Sequence, residues 1–338
     1  MSTENVITMR VIVTGGAGYI GAHVVRLLLE RGHDVVVLDD LSTGHADAVD
    51  CRLFKIDLCQ RQPVADLFAE FRPDEVMHFA ARALVGESMR DPMRYFRDNI
   101  TGALNLVDAA LANGKPPIVF SSTCATYGMP EPAPAPRSWK RFTERSPQNP
   151  VNPYGESKLC VERMLAACSR AHGLRSVSLR YFNAAGADPA HGLGERHDPD
   201  THLIPLFLQV ASGKQPAALI FGKDYETPDG TCVRDYIHVL DLAEAHLLAL
   251  EHLAEGKESM AINLGTGRGH SVMEVLSVVR EITGRACPAI MVERRPGDPD
   301  SLVADSQRAK EVIGWSPTRG LHEMVESAWK FMVGGCDG

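Results

Sequence analysis

Short, nearly continuous apolar runs recur through the first half of the chain, at 9–14 (MRVIVT), 34–39 (DVVVLD), 51–56 (CRLFKI), 75–80 (EVMHFA) and 117–122 (PIVFSS). No other feature constrains the fold as strongly. A strand that is apolar along its whole length is buried on both faces, and parallel strands need long crossovers between them. Helical patterns fill those crossovers, at 19–31, where Ile20, Val24, Leu27 and Leu28 share a face, and at 62–71 and 94–112. The rhythm therefore predicts a parallel sheet covered by helices on both sides.

A stretch at 129–153 with seven prolines interrupts this pattern. It reads as a loop rather than a linker, because a helix at 154–172 and a strand at 176–182 resume the alternation. Beyond about 186 the segments shorten and glycine and proline become frequent. Helices are expected there at 241–254, 271–283 and 321–333, and strands near 218–222, 261–264 and 289–293. The expected fold is α/β, a Rossmann-type doubly wound parallel sheet over 1–185 with a smaller mixed α/β C-terminal lobe over 186–338. The segment at about 234–255 is expected to pack back onto the first domain. The final GGCDG is expected to fray.

The chain has 338 residues, a length that suits two domains or one with a smaller lobe. Its net charge of -8, without a basic block, argues against nucleic acid as the main partner. Mean hydropathy is -0.11, and no apolar run reaches the length of a spanning helix. The start, MSTENVITMRVIVTGG, lacks the basic and apolar regions of a secretory signal. Eight cysteines are scattered without a CxxC pair, so a reduced, cytoplasmic chain is expected rather than a disulfide framework or zinc site. None of the thirteen histidines stands at HxxH or HExxH spacing, and no metal is expected. His78, within an apolar strand, reads as a core residue.

TGGAGYIG at 14–21 sits where the first strand turns into the first helix, with Gly15, Gly18 and Gly21 at three-residue spacing. Such a turn brings backbone amides to a pyrophosphate and places its charge at a helix N-terminus. Asp39 ends the next strand, 18 residues after Gly21. A carboxylate there accepts hydrogen bonds from the adenosine ribose and repels a 2′-phosphate, which selects NAD over NADP. Asp40 can share that role, and Asp57 after the third strand is a candidate for the adenine edge.

Tyr154 and Lys158, in NPYGESK, stand four apart on one face of a helix. A phenol with a pKa of about 10 becomes a usable base when a nearby cation favours the phenolate. Upstream, Ser121-Ser122-Thr123 ends a strand at the carboxyl edge of the sheet, where ligands bind in open α/β sheets. Hydroxyl, phenol, ammonium and glycine turn together point to a dinucleotide-dependent enzyme.

With these residues in place, the chain resembles the extended short-chain dehydrogenases/reductases, and within them the UDP-glucose 4-epimerase family. The resemblance runs almost end to end: VTGGAGYIG, LDDLSTGH, HFAARALVGES, SSTCATYG, NPYGESK, LRYFNAAGAD, HLIP, FGKDYETPDGTCVRDYIHVLDLAEAH, NLGTG, RRPGDP and LVAD. It implies reversible, NAD-dependent epimerisation at C4 of a UDP-hexose through a transient 4-keto sugar, with the NAD retained through the cycle. UDP-pentoses and UDP-N-acetylhexosamines are the alternative substrates.

By position, the resemblance makes Tyr154 the base at the sugar O4, Lys158 the residue holding the nicotinamide ribose and Thr123 a donor to the same sugar oxygen. It places NAD against Gly15, Gly18, Tyr19, Ile20, Asp39, Asp40, Leu41, Ser42, Thr43, Gly44, Asp57, Leu58, Phe79, Ala80, Ala81, Asn99, Tyr154, Lys158 and Phe182. The UDP-sugar would meet Thr123, Tyr154, Asn183, Leu203, Phe221, Arg234, Arg295 and Asp298, the two arginines on the diphosphate. It also implies a homodimer, with the helical patterns at 94–112 and 154–172 as candidate surfaces. A sugar dehydratase would need an acid and a base where Cys124 and Ala125 stand. A non-catalytic NAD sensor would lack the Tyr154–Lys158–Thr123 set. The chain departs from the family in its longer loop at 129–147, in Asp40 where Asn is common, and at Arg82 and Ala83, where some members place a cofactor-contacting Lys nearby. Leu302 falls where a bulky residue, often Tyr, limits room beside the sugar; a leucine is expected to admit a C2 acetamido group.

Overall fold

The structure, a computed structural model, describes residues 8–130, 139–295 and 297–334. The residues before Thr8, the middle of the proline-rich stretch and the tail expected to fray from Gly335 on lie outside the described residues.

The strands form as the apolar runs dictate: β1 (Arg10–Thr14), β2 (Asp34–Asp39), β3 (Arg52–Lys55), β4 (Glu75–His78), β5 (Ile118–Thr123) and β6 (Ser176–Tyr181). With β10 (Met260–Leu264) they make a seven-stranded sheet in the order β10-β6-β5-β4-β1-β2-β3. The pairs around β1, β2 and β4 are parallel, with Ile12 opposite both Val36 and Val76. This is the doubly wound order, whose direction reverses between β1 and β4. Against the sheet lie α1 (Tyr19–Glu30), α2 (Arg61–Phe71), α5 (Gly102–Ala112) and α6 (Pro153–His172), while the short α3 (Val85–Arg90) and α4 (Pro92–Tyr95) pack on α6. The helix expected at 94–112 is interrupted: a π-helical turn at Phe96–Thr101 separates α4 from α5. Its Asn99 side chain is drawn inward to bond Arg82 and Ser157.

By internal packing the chain divides into two compact units, one of 1–123, 152–179 and 243–262, the other of 124–151, 180–242 and 263–338. In the first, Ile12, Val36, Val76, Ile118 and Phe120 from the sheet pack with Leu67 and Phe68 of α2, Leu106 and Ala110 of α5, and Val161 and Leu165 of α6. Burying such side chains stabilises the layer by about 1.5–3 kcal/mol each before entropic costs.

The second unit is built on β7 (Asn183–Ala185), β9 (Val233–His238), β11 (Gly269–Ser271) and β13 (Ser301–Leu302), with β9 pairing all three others. A parallel pair, β8 (Ala218–Phe221) with β12 (Ala289–Val292), stands apart from it. Its main core joins Ile204, Phe207 and Leu208 of α7 (Leu203–Ala211) to Val275, Leu276 and Val279 of α9 (Val272–Thr283) and to Met324 and Val325 of α11 (Leu321–Gly334). The N-terminus of α9 is fixed by a full capping box between Ser271 and Glu274. The remaining helices are α8 (Val239–Ala254) and α10 (Gln307–Ile313). A second cluster, Cys124, Tyr127, Phe142, Phe182 and Ala304, receives the half-buried Leu302. Phe142, just past the proline-rich stretch, is pinned there by hydrogen bonds with Val303 and Asp305.

Candidate active site

The glycine turn follows β1 directly. Gly15 has φ +70, and a Cβ on it would meet the backbone nitrogen of Ala80 at 2.4 Å, so both conformation and space demand glycine. A Cβ on Gly21 would stand 2.2 Å from the Gly15 carbonyl oxygen, which seats α1 hard against the turn. Gly18 is the N-cap of α1 and supplies no side chain to its amides. Tyr19 and Ile20 open the helix. A positive helix-dipole end approached by bare backbone suits a pyrophosphate. Phe79 and Ala80 flank this turn, each donating its N–H to the Thr14 carbonyl, and the exposed Ala81 follows.

Asp39 is buried at the end of β2, and its two oxygens accept from Ala17 N at 3.0 Å and Leu41 N at 2.8 Å. Burial raises its carboxyl pKa while those two bonds pull it back. The bond to Leu41 holds that residue in a left-handed conformation, φ 60, and so sets the path of Leu41–Gly44. Asp40 and Asp57 each close an Asx turn, on Ser42 N and Cys59 N. Ser42 and Thr43 are exposed, and Gly44 lies close to Asp39.

Two of the expected cofactor residues have internal work to do. The Leu58 side chain is part of the core, and its carbonyl accepts from Asn105. Both amide hydrogens of Asn99 are taken, by Arg82 O and by Ser157 Oγ, and Ser157 bonds back to Tyr154 O. Asn99 thus ties the π-turn to the first turn of α6. Arg82 is itself ion-paired with Asp98.

Asn152 caps α6 through Gly155 N, and Pro153 occupies its first turn. Tyr154, Lys158 and Glu162 then form a stripe at four-residue spacing, all buried. Lys158 Nζ donates to Ser121 O at 2.8 Å and lies over the Phe120 ring. Glu162 accepts from Ser122 Oγ. Thr123, the last residue of β5, is buried beside these contacts in sequence. Burial pushes the Lys158 ammonium down to about 7, against the pull of Glu162. His78 is a core residue: burial and then Lys158 push it down to about 3, so its ring is neutral, bonded to Thr14 and stacked on Phe120.

The second unit gathers the arginines. Arg234 on β9 is ion-paired with Asp298 and also donates to Val233 O. The Arg295 guanidinium lies 3.8 Å above the Phe221 ring at the end of β8, and Arg294 stacks 4.0 Å above Tyr225. Asn183 on β7 is in register with Tyr236, and Leu302 on β13 with Arg234. Leu203 is the first residue of α7 and packs on the core below it. Phe182 is buried in the smaller cluster.

Sequence reasoning missed Asp235. Wholly buried beside Arg234, it accepts four bonds, from Thr266 N and Oγ1 on one oxygen and from Gly267 N and Ala304 N on the other. It thereby fastens NLGTG and the chain after Leu302 to β9. An acid directly following the arginine of RDYIHV was the available signal. The Tyr127 hydroxyl, which donates to Asn263 and accepts from Arg180, was also unforeseen.

Comparison with known proteins places this geometry. Residues 11–265 match the model of the NAD dependent epimerase/dehydratase family. The UDP-glucose 4-epimerase of Halalkalibacterium halodurans is 49% identical over 96% of this chain and 95% of its own length. The crystal structure of UDP-glucose 4-epimerase from Brucella ovis in complex with NAD superposes with a TM-score of 0.90 at 46% identity, over 95% of this chain and 98% of that one. The Bifidobacterium longum UDP-glucose 4-epimerase in complex with NAD+ and UDP gives a TM-score of 0.90 at 34% identity, covering 97% and 99%. With a family match across most of its length and relatives near half identity, this chain belongs to the NAD dependent epimerase/dehydratase family.

Proposed function

We propose that this chain is an NAD-dependent 4-epimerase interconverting UDP-glucose and UDP-galactose. The observation that carries the reading is the locked pairing of β5 with α6, which holds Tyr154 one turn before a buried, Ser121-anchored Lys158. The glycine turn fits NAD, since a Cβ at Gly15 or Gly21 would fill the cradle with atoms. Gly15, Gly18, Tyr19 and Ile20 would hold the pyrophosphate, and Asp39 with Leu41–Gly44 the adenosine ribose. Bound there, NAD would supply the acceptor and then the donor for the C4 hydride.

Tyr154 as phenolate removes the O4 proton and later returns it, and the Lys158 cation keeps that phenolate accessible near neutral pH. Thr123 steadies the same oxygen. The 4-keto sugar must turn over between the two hydride passages, so the sugar is held loosely and the UDP firmly. Arg234 and Arg295 hold the diphosphate, with Asn183, Leu203, Phe221 and Asp298 around the nucleotide.

A homodimer accompanies this reading. Val85 and Met89 on α3, Met93 on α4 and Leu104 on α5 are all exposed, an apolar surface that a second copy would cover. A cytoplasmic setting is supported by the cysteines, none of which is disulfide-bonded among the described residues. Among those residues, no helix is long and apolar enough to cross a membrane.

The direct test is to incubate the purified protein with UDP-galactose, without added NAD, and follow UDP-glucose by proton NMR. Interconversion is expected. Its absence in a preparation shown to contain bound NAD would overturn the reading.

A further inference from the structure

In the segment before α7, the second unit brings three ligand-bearing side chains to one point. Glu195, His197 and His202 precede α7, at a spacing that matches no common metal motif. The Glu195 side chain is buried, and one of its oxygens, Oε1, meets Nδ1 of His197 at 2.8 Å and Nδ1 of His202 as well. The three donor atoms lie within 4.8 Å of one another. The two rings approach edge-on, their centroids 5.6 Å apart. A tetrahedral ion with ligand bonds of about 2.0–2.1 Å separates its ligand atoms by roughly 3.3–3.5 Å, so small side-chain rotations suffice to admit one.

A fourth donor stands nearby. Asp200 accepts from Gln209 through Oδ2, while its Oδ1 is buried with no hydrogen-bond partner. A buried carboxylate oxygen without a donor is costly unless a cation satisfies it. Asp200 also lies within electrostatic reach of Glu195, His197 and His202.

We propose that Glu195, His197 and His202, with Asp200 as fourth donor, bind a divalent cation of the zinc class. Two imidazoles and a carboxylate are borderline ligands that suit Zn2+, Co2+ or Ni2+ and match poorly the all-oxygen demand of Mg2+ or Ca2+. The ion is structural. It clamps the segment 195–202 immediately before Leu203, the first residue of α7, and leaves the chemistry at Tyr154 untouched.

Cobalt is the probe, used on the tag-free, full-length protein after treatment with a chelator. Titration is expected to saturate near one Co2+ per chain, with visible d–d absorption and no thiolate-to-cobalt charge-transfer band. His197→Ala and His202→Ala are each expected to weaken binding by at least ~10-fold, with Asp200→Asn showing a smaller loss. Should an alanine variant not fold, the wild-type spectrum still decides, because it reports the ligand type directly. A charge-transfer band would assign the metal to cysteines and overturn the proposal. So would the absence of a saturable site, or equal affinity in His197→Ala, either of which leaves the cluster as a hydrogen-bonded clamp on Glu195. The readout is metal binding, so the result is independent of whether the epimerase reading stands.

Discussion

Lys158 donates to the carbonyl oxygen of Ser121 at 2.8 Å, which fastens the opening turns of α6 to the carboxyl end of β5. One turn further on, Glu162 takes the Ser122 hydroxyl and repeats the fastening. The phenol of Tyr154 and the hydroxyl of Thr123 therefore belong to elements that cannot slide past each other. The relative placement of Tyr154 and Thr123 is set by one contact to backbone and one between side chains, at the sheet edge where doubly wound folds bind their ligands.

Removal of the phenolic oxygen separates binding from chemistry. Tyr154→Phe keeps the buried ring and leaves Gly15–Ile20 and Arg234 intact. It is expected to retain NAD and UDP while losing at least ~10²-fold in kcat. Steady-state kinetics together with the absorbance of bound cofactor check this, and near-normal turnover would overturn the role of Tyr154 as base.

The buried ammonium predicts a pH-dependent stability. The Lys158 pKa stands at about 7 in the folded chain, against 10.5 ordinarily. Between those values the unfolded chain binds a proton that the folded chain does not, so stability rises with pH across that window. The cost of burying the cation is complete below pH 7 and gone above 10.5. In Lys158→Met, Tm relative to wild type is therefore expected to be most favourable at pH 6 and to decline toward pH 10. A difference that is flat with pH would contradict a buried, depressed Lys158.

The legible parts of the molecule were those where one physical demand dominates. Strands buried on both faces must be apolar throughout, so β1, β2, β4 and β5 could be read to within two residues of their ends. The second unit was harder, because β9, β11 and β13 are short, mix charge with apolar residues and pair across wide gaps in sequence. The same limit hid two local features. A helix pattern at 94–112 gives no warning that Asn99 is needed inside, against Ser157, and Asp235 looks like an ordinary surface acid until Thr266, Gly267 and Ala304 converge on it. Arg234, Arg295, Phe221 and Asp298 were recognisable by resemblance; their stacking and ion pairing were not.

Glu75 opens β4 with its carboxyl buried and Oε2 without a partner. Burial pushes it up to about 8 from 4.5, with Arg175 pulling the other way. The folded chain thus holds a proton that the unfolded chain has released, and this contribution to stability, complete below 4.5, is lost as pH rises through 8. Glu75→Gln removes the titration. Its stability relative to wild type is expected to improve from pH 5 to pH 9 by more than about 1 kcal/mol, since each tenfold change in proton affinity is worth about 1.4 kcal/mol. Denaturant unfolding at both pH values measures it, and an unchanged difference would show that Glu75 is ionised in the fold.

In Asp235→Asn the amide NH2 faces either the Gly267 and Ala304 N–H groups or the Thr266 N–H and hydroxyl, so one pair of donors loses its acceptor. With one side of the carboxylate unsatisfied, the expected cost is about 2–3 kcal/mol. Because Asp235 anchors the chain between Arg234 and Ala304, KM for the UDP-sugar should rise more than kcat falls. Calorimetry and kinetics together test the assignment; a variant of wild-type Tm would refute the anchoring role.

Leu302 offers a test of breadth. It sits on β13 in register with Arg234, half-buried against Tyr127, Phe142 and Phe182. A leucine at this point occupies less room than a tyrosine, so UDP-N-acetylglucosamine is expected to turn over alongside UDP-glucose. Leu302→Tyr should cut turnover of the acetamido sugar by at least ~10-fold, the scale of a pocket contact of about 1–3 kcal/mol, and leave UDP-glucose nearly unaffected. The kcat for UDP-glucose serves as the internal control. Wild-type turnover of UDP-N-acetylglucosamine below one-thousandth of that for UDP-glucose would overturn this role of Leu302.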